Sequence, residues 1–158
     1  MPNQPATFFD PAKTFDDNFD NGPFLQNSDS PYQNKGEPSY SFLGHKLYSP
    51  FGIGAGSLPT SKHVRGAFER GFDVVCYKTQ RSVSFTVNEF PNVVYIEVEG
   101  DLTLDKISKP LVGHPTTDAP VEQLTITNSF GNPSRGPEFW VQDMKQAVCV
   151  RLLAHMRL

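Results

Sequence analysis

From Tyr40 onward the apolar positions fall into short groups, each closed by small or polar residues. Ser41-Phe42-Leu43-Gly44-His45-Lys46-Leu47 predicts a short hairpin turning at Gly44-His45. Phe51-Gly52-Ile53-Gly54-Ala55-Gly56 follows, apolar but built of very small residues. Pro59-Thr60-Ser61 offers hydroxyls that can cap a helix. Val64, Ala67 and Phe68 then sit at i, i+3 and i+4, which is one helical face. Gly71 is placed to end that helix in the left-handed conformation. Phe72 to Tyr77 is apolar and β-branched, and predicts a buried strand that stops at Lys78-Thr79-Gln80-Arg81-Ser82. A strand, helix, strand order with small residues after the first strand predicts a parallel α/β unit.

Residues 82–99 alternate instead. Val83, Phe85 and Val87 precede a Pro91-Asn92 turn, and Val93, Tyr95 and Glu97 follow it, which predicts an antiparallel excursion. Residues 100–120 are a polar, proline-containing loop, and Leu124-Thr125-Ile126-Thr127 predicts another strand. Pro137 suits the first position of a helix. Trp140, Met144, Val148 and Leu152 recur every four residues and give that helix an apolar stripe, with Trp140 and Met144 expected in the core. Residues 1–39 have no such order. Phe8, Phe9, Phe15, Phe19 and Phe24 show neither a helical nor an alternating period. Two readings stand for this arm: an extended segment that lays aromatic anchors on a surface elsewhere, or simple disorder.

Composition narrows the classes. The net charge of −3 leaves no basic stripe to displace counterions from phosphates, so nucleic acid is not an expected partner. Nothing approaches the roughly 20 apolar residues of a membrane span. Met1 leads into a polar stretch without the apolar core of a signal peptide. The two cysteines, Cys76 and Cys149, make no disulfide framework, and Cys76 inside an apolar run predicts a buried, reduced thiol. A soluble protein of the cytoplasm is expected. The four histidines are scattered without ligand spacing, so no metal site is expected.

The candidate chemistry lies where predicted strands end. Gly54-Ala55-Gly56-Ser57, Lys78-Thr79-Gln80-Arg81-Ser82 and Asn128-Ser129-Phe130-Gly131-Asn132 are three such ends, and parallel α/β proteins bind ligands there. Each also has a plain structural reading. Gly52 to Gly56 is no dinucleotide fingerprint, because Ser57 stands where a glycine is required. Its glycines serve either the close approach of a flat ligand or tight packing. Lys78 is either a solvated strand-end lysine or a functional one. Asn128 and Asn132 are either turn-formers or ligand-binding amides.

Taken together, "FGIGAGSLPTS", "FDVVCYKTQRS", "FPNVVYIEVEGDLT" and "ITNSFGNPS" resemble the dihydroorotate dehydrogenase family. They look like its first barrel strand, its second strand with the flavin lysine, its inserted hairpin and its substrate loop. They occur in the family's order over roughly residues 40–148. The resemblance implies a (β/α)8 barrel with FMN across its C-terminal mouth, oxidising dihydroorotate to orotate in pyrimidine (UMP) biosynthesis. By position, Ala55 and Gly56 match the segment whose backbone runs along the flavin ring. Lys78 matches the lysine that contacts both flavin and substrate carboxylate, and Thr79 matches the small hydroxyl residue beside it. Asn128 matches the substrate-binding asparagine, and Phe130, Gly131 and Asn132 match the loop that holds the substrate. The resemblance, which is to the soluble class, also implies a homodimer for the intact family member.

The implied organisation is an arm over 1–39, the N-terminal part of a flavin-binding barrel over 40–148, and an atypical tail over 149–158. The implied chemistry moves a hydride from C6 of dihydroorotate to flavin N5 while a Cys or Ser base takes a C5 proton. No residue of this chain matches that base. A complete barrel takes roughly 250 residues, so this chain of 158 residues is expected to be an N-terminal fragment, inactive alone. A dihydropyrimidine dehydrogenase-like flavin barrel shares these motifs, and a non-catalytic remnant or interaction module is the reading from another class.

Overall fold

A computed structural model describes residues 7–25 and 31–155, with the side chains of Val121 and of residues 150–155 outside that description. Along the chain run helix α1 (Phe15–Asn21), strands β1 (Tyr40–Phe42), β2 (His45–Leu47) and β3 (Gly52–Ile53), helix α2 (Ser61–Glu69), strands β4 (Val74–Val75), β5 (Val93–Ile96), β6 (Gly113–His114) and β7 (Ile126–Asn128), and helix α3 (Pro137–His155).

The predicted parallel unit is present. β3 and β4 pair in parallel, Gly52 opposite Val74 and Ile53 opposite Val75. The approach is close: a Cβ on Gly52 would lie 2.7 Å from the Val74 carbonyl oxygen, which only glycine avoids. α2 connects the two strands and buries Val64 and Ala67 with Leu58 and Ala147, while Ile53, Phe68, Val75 and Tyr77 pack around that cluster. Full burial of each large apolar side chain contributes about 1.5–3 kcal/mol. Gly71 follows the helix at φ +85°, as its sequence position predicts.

α3 supplies what the start of α2 lacks. The Thr60 hydroxyl sits 2.8 Å from Nδ1 of His63 and caps no backbone N–H. The backbone N–H and the hydroxyl of Ser61 donate instead to the Asp143 carboxylate, at 2.6 and 2.7 Å. The Tyr77 hydroxyl donates to the same group at 2.7 Å. Burial, reinforced by this bond, pushes the Tyr77 phenol well above its ordinary range.

Several expectations are corrected. The hairpin turns at Leu43-Gly44, both at positive φ (49° and 79°), and His45 already pairs with Phe42. Two consecutive left-handed residues match the twist of a two-residue hairpin loop. The two arms of residues 82–99 do not pair with each other. β5, β-branched and aromatic throughout, is the central strand of an antiparallel sheet ordered β6-β5-β7, and Phe85 bridges to Ser134. The strand predicted at Leu124–Thr127 therefore joins this antiparallel sheet through Val93–Asn128, Val94–Thr127 and Tyr95–Ile126 pairs. The strands among the described residues form small sheets and close no barrel.

Cys76 is exposed, not buried. Val75 and Tyr77 face the core, and alternation along an extended segment sends the residue between them the other way. On α3 the buried position is Ala147, whereas Val148 is 60% exposed. Trp140 and Met144 are half-buried. The helix face is thus rotated toward Asp143 and Ala147 and away from Val148. The side chain of Leu152 lies outside the described residues.

Residues 7–25 are not extended. Thr14 caps α1 by accepting from the Asp17 N–H at 3.1 Å, and Phe15 and Phe19, four apart, are both buried. Fully buried Asn18 accepts from the Asp10 N–H at 2.7 Å and donates to the Asp10 and Thr14 carbonyls at 3.0 and 2.8 Å. Reciprocal backbone bonds between Thr7 and Phe24, at 3.3 and 2.9 Å, close the segment.

Candidate functional site

Lys78 follows β4, where its backbone N–H donates to the Leu58 carbonyl at 3.0 Å. It is 8% exposed. Its Nζ donates to Oδ1 of Asn132 at 2.5 Å and to the Thr79 carbonyl at 3.2 Å. No carboxylate pairs with it among the described residues. Burial, and secondarily the Arg81 charge, lowers its pKa. A buried ammonium with an amide and a carbonyl as partners is an electrostatic invitation to an anion.

Asn132 reaches Lys78 because the chain turns sharply beneath it. Gly131 and Asn132 have φ of 73° and 55°, the left-handed region that Gly and Asn tolerate best. A Cβ on Gly131 would meet the Asn88 side chain at 2.8 Å. Arg81 fastens the turn from the other side. Its Nε and Nη2 donate to the Asn132 and Gly131 carbonyls at 3.0 and 3.3 Å, and its guanidinium stacks 3.8 Å from the Phe85 ring centroid. Buried Ser134 accepts from the Arg81 N–H at 3.1 Å and donates to Gln80 Oε1 at 2.8 Å. The Trp140 indole donates to the Arg81 carbonyl at 3.1 Å. Two strand ends that read as separate in the sequence are one hydrogen-bonded knot. The N–H groups of Gly131 and Asn132 have no acceptor among the described residues.

The other candidate positions are placed as follows. Ala55 and Gly56 are exposed just after β3, and a Cβ on Gly54 or Gly56 would meet nothing within 4 Å. Neither sits at positive φ. Internal packing does not require these glycines among the described residues. Thr79 is exposed beside Lys78. Asn128 ends β7, exposed and opposite Val93, and no hydrogen bond joins it to Lys78. Phe130 is half-buried, its ring edge-on to Phe9 at 5.3 Å and to Phe15 at 6.1 Å.

Sequence reasoning missed Gln80, Arg81 and Ser134 as the fasteners of the knot, although all three lie within the quoted motifs. It also missed Asp143, a lone acidic residue on an otherwise ordinary helix, for which the sequence carries no signal.

A curated dihydroorotate dehydrogenase from Dictyostelium discoideum is 40% identical over 145 residues, or 88% of this chain. The chain belongs to the dihydroorotate dehydrogenase family. It spans 39% of that relative's length. No family model matches the chain, and no solved structure does. In this dihydroorotate dehydrogenase family member, no described helix is long and apolar enough to cross a membrane. No group of three or more His, Cys, Asp and Glu residues is placed to hold a metal among the described residues.

Proposed function

We propose that the protein carrying these residues is an FMN-dependent enzyme that oxidises dihydroorotate to orotate in pyrimidine biosynthesis. In this reading the described residues form one side of the site, at the C-terminal ends of the first strands of a (β/α)8 barrel. The observation that carries it is Lys78, buried, bonded to the Gly131-Asn132 turn and without a carboxylate partner among the described residues.

The flavin, when bound, supplies the two-electron acceptor that the oxidation needs. The exposed backbone of Ala55 and Gly56 offers a flat face for its ring, with Thr79 beside it. Lys78 binds the substrate carboxylate. Its burial disfavours the free cation, so an arriving anion gains more there than at a solvated lysine, and charge-assisted hydrogen bonds are roughly twice as strong as neutral ones. Asn132 and the Thr79 carbonyl orient the ammonium. The free N–H groups of Gly131 and Asn132 donate to ring oxygens, and Asn128 offers its amide as both donor and acceptor.

The test uses the full-length protein, purified and loaded with FMN. Stoichiometric flavin, a change in flavin absorption on adding orotate, and oxidation of dihydroorotate with a dye acceptor are expected. Preference for uracil over orotate would move the protein to the dihydropyrimidine dehydrogenase-like class. Absence of flavin binding would sink the reading.

A further inference from the structure

We propose that residues 7–25 are a strap that sets the conformation of the candidate substrate loop, with Phe9 and Phe15 as positioning residues for substrate binding. The inference rests on the functional reading above, and it adds a part of the chain which that reading leaves unused.

The strap is a built unit. Its ends are joined by the Thr7–Phe24 backbone bonds, and its interior is tied by buried Asn18 to Asp10 and Thr14. One side is anchored on α2. Lys62 Nζ donates to the Asp20 carbonyl at 2.7 Å. Gly22 lies so close to His63 that a Cβ there would sit 2.8 Å from Nε2, and Gly66 lies against Leu25, where a Cβ would approach to 2.6 Å.

The other side grips the loop. Phe9 meets the Phe130 ring at 5.3 Å and 84°, and Phe15 meets it at 6.1 Å and 61°. Edge-to-face contacts of this kind fix ring orientation as well as burying area. Just beyond the turn, Arg135 donates to Asp16 at 2.8 Å and lies 4.7 Å over the Phe19 ring. Phe19 also packs against Phe139 at 5.3 Å.

Phe130 immediately precedes the left-handed pair Gly131-Asn132. A left-handed non-glycine residue is costly and persists where its surroundings determine it. The Phe130 carbonyl accepts from the Asn88 N–H at 3.2 Å, so Asn88 holds the backbone and the strap holds the ring. Releasing the ring frees the start of the turn, and with it the partner of Lys78.

Phe15→Leu and Phe9→Leu keep apolar volume and remove the edge-to-face contact. Phe24→Leu is the control within the strap, because its ring lies under Lys13, whereas the rings that meet Phe130 are those of Phe9 and Phe15. In the full-length, flavin-loaded protein, Phe15→Leu and Phe9→Leu should each raise KM for dihydroorotate about fivefold, with kcat and flavin content within about twofold. Phe24→Leu should leave KM unchanged. Amide exchange should accelerate at residues 129–134 in the first two variants and stay unchanged in α2. A general loss of stability would lower flavin content and expose α2 without this KM-against-kcat split. Unchanged KM, or unchanged loop exchange, in both Phe9→Leu and Phe15→Leu overturns the strap. If one variant fails to fold, the other decides. If the unaltered protein neither binds FMN nor oxidises dihydroorotate, the functional reading falls and loop exchange alone decides whether the strap stands.

Discussion

Nζ of Lys78 and Oδ1 of Asn132 lie 2.5 Å apart across a sequence separation of 54 residues. That bond fixes the ammonium where two strand ends meet, and removing the ammonium should affect chemistry far more than folding. In the full-length protein, Lys78→Ala is expected to lower kcat/KM for dihydroorotate by about 100-fold or more, equivalent to about 2.7 kcal/mol of transition-state stabilisation. Circular dichroism should remain unchanged. A turnover within about threefold of the parent, less than about 1 kcal/mol, would remove Lys78 from the site.

Asn128 should bind substrate rather than flavin. Asn128 is exposed at the end of β7, in a different sheet from the strand β3 that the glycine edge follows. Asn128→Ala is expected to weaken orotate binding about tenfold, the scale of one lost hydrogen bond to a bound ligand, and to spare flavin content. Loss of flavin with orotate affinity intact would reverse the assignment.

Protonation of His63 should weaken the fold. The ring is fully buried, and its Nε2 has no hydrogen-bond partner among the described residues. Burial, followed by the charge of Lys62, lowers its pKa from 6.5 to about 4, against the opposing pull of Asp143. Above the unfolded value both states are neutral and the contribution is complete. As pH falls from 6.5 toward 4 the unfolded chain binds a proton that the folded chain refuses. Stability then falls by up to about 1.4 kcal/mol per pH unit. Urea unfolding at pH 6.5 and 5 should show about 1.6 kcal/mol more loss in the parent than in His63→Gln. Parallel profiles for the two proteins would count against a buried neutral ring.

Asp143 joins three groups that nothing else joins. Asp143→Ala strands the Ser61 N–H, the Ser61 hydroxyl and the Tyr77 hydroxyl. The expected loss of stability is about 2–3 kcal/mol, from a lost helix cap and a buried hydroxyl left unpaired. Chemical denaturation measures it. Asp143→Asn keeps an acceptor oxygen and should recover about half of the loss. A loss below about 0.5 kcal/mol in Asp143→Ala, the range of ordinary surface changes, would contradict the bridge.

The local signals in the sequence translated well where period and end chemistry agreed. Val64, Ala67 and Gly71 placed α2 and its end, and Gly52 with Val74 placed the parallel pair. The polar run after Tyr77 and the Asn-Gly-rich run after Ile126 both became parts of one knot. What stayed hidden depends on pairing across distance. Nothing local states that Phe85 bridges to Ser134 rather than turning back on Val93, or that β5 takes neighbours on both edges. The helix at Phe15–Asn21 was hidden because its apolar face is only Phe15 and Phe19, and Phe8, Phe9 and Phe24 pack elsewhere without a common period. Ala147 outcompeted Val148 for the core because Asp143, one turn earlier, had to face Ser61 and Tyr77. A hydrophobic pattern cannot register a helix rotated by a carboxylate.

The Asp16–Arg135 pair spans 119 residues, and the ring contacts from Phe9 and Phe15 to Phe130 span a similar length of chain. The strap therefore meets partners that are synthesised more than a hundred residues after it. During translation the strap can close on itself through Asn18, but it cannot seat until the β7–α3 connection has left the ribosome. At roughly 5–20 residues per second, that wait lasts on the order of ten seconds. Non-local contacts of this span also slow folding, because the chain must lose loop entropy before it gains the contact. Until then Phe9 and Phe15 lack the Phe130 ring that they pack against. A chaperone that recognises short aromatic segments has its opportunity in that interval.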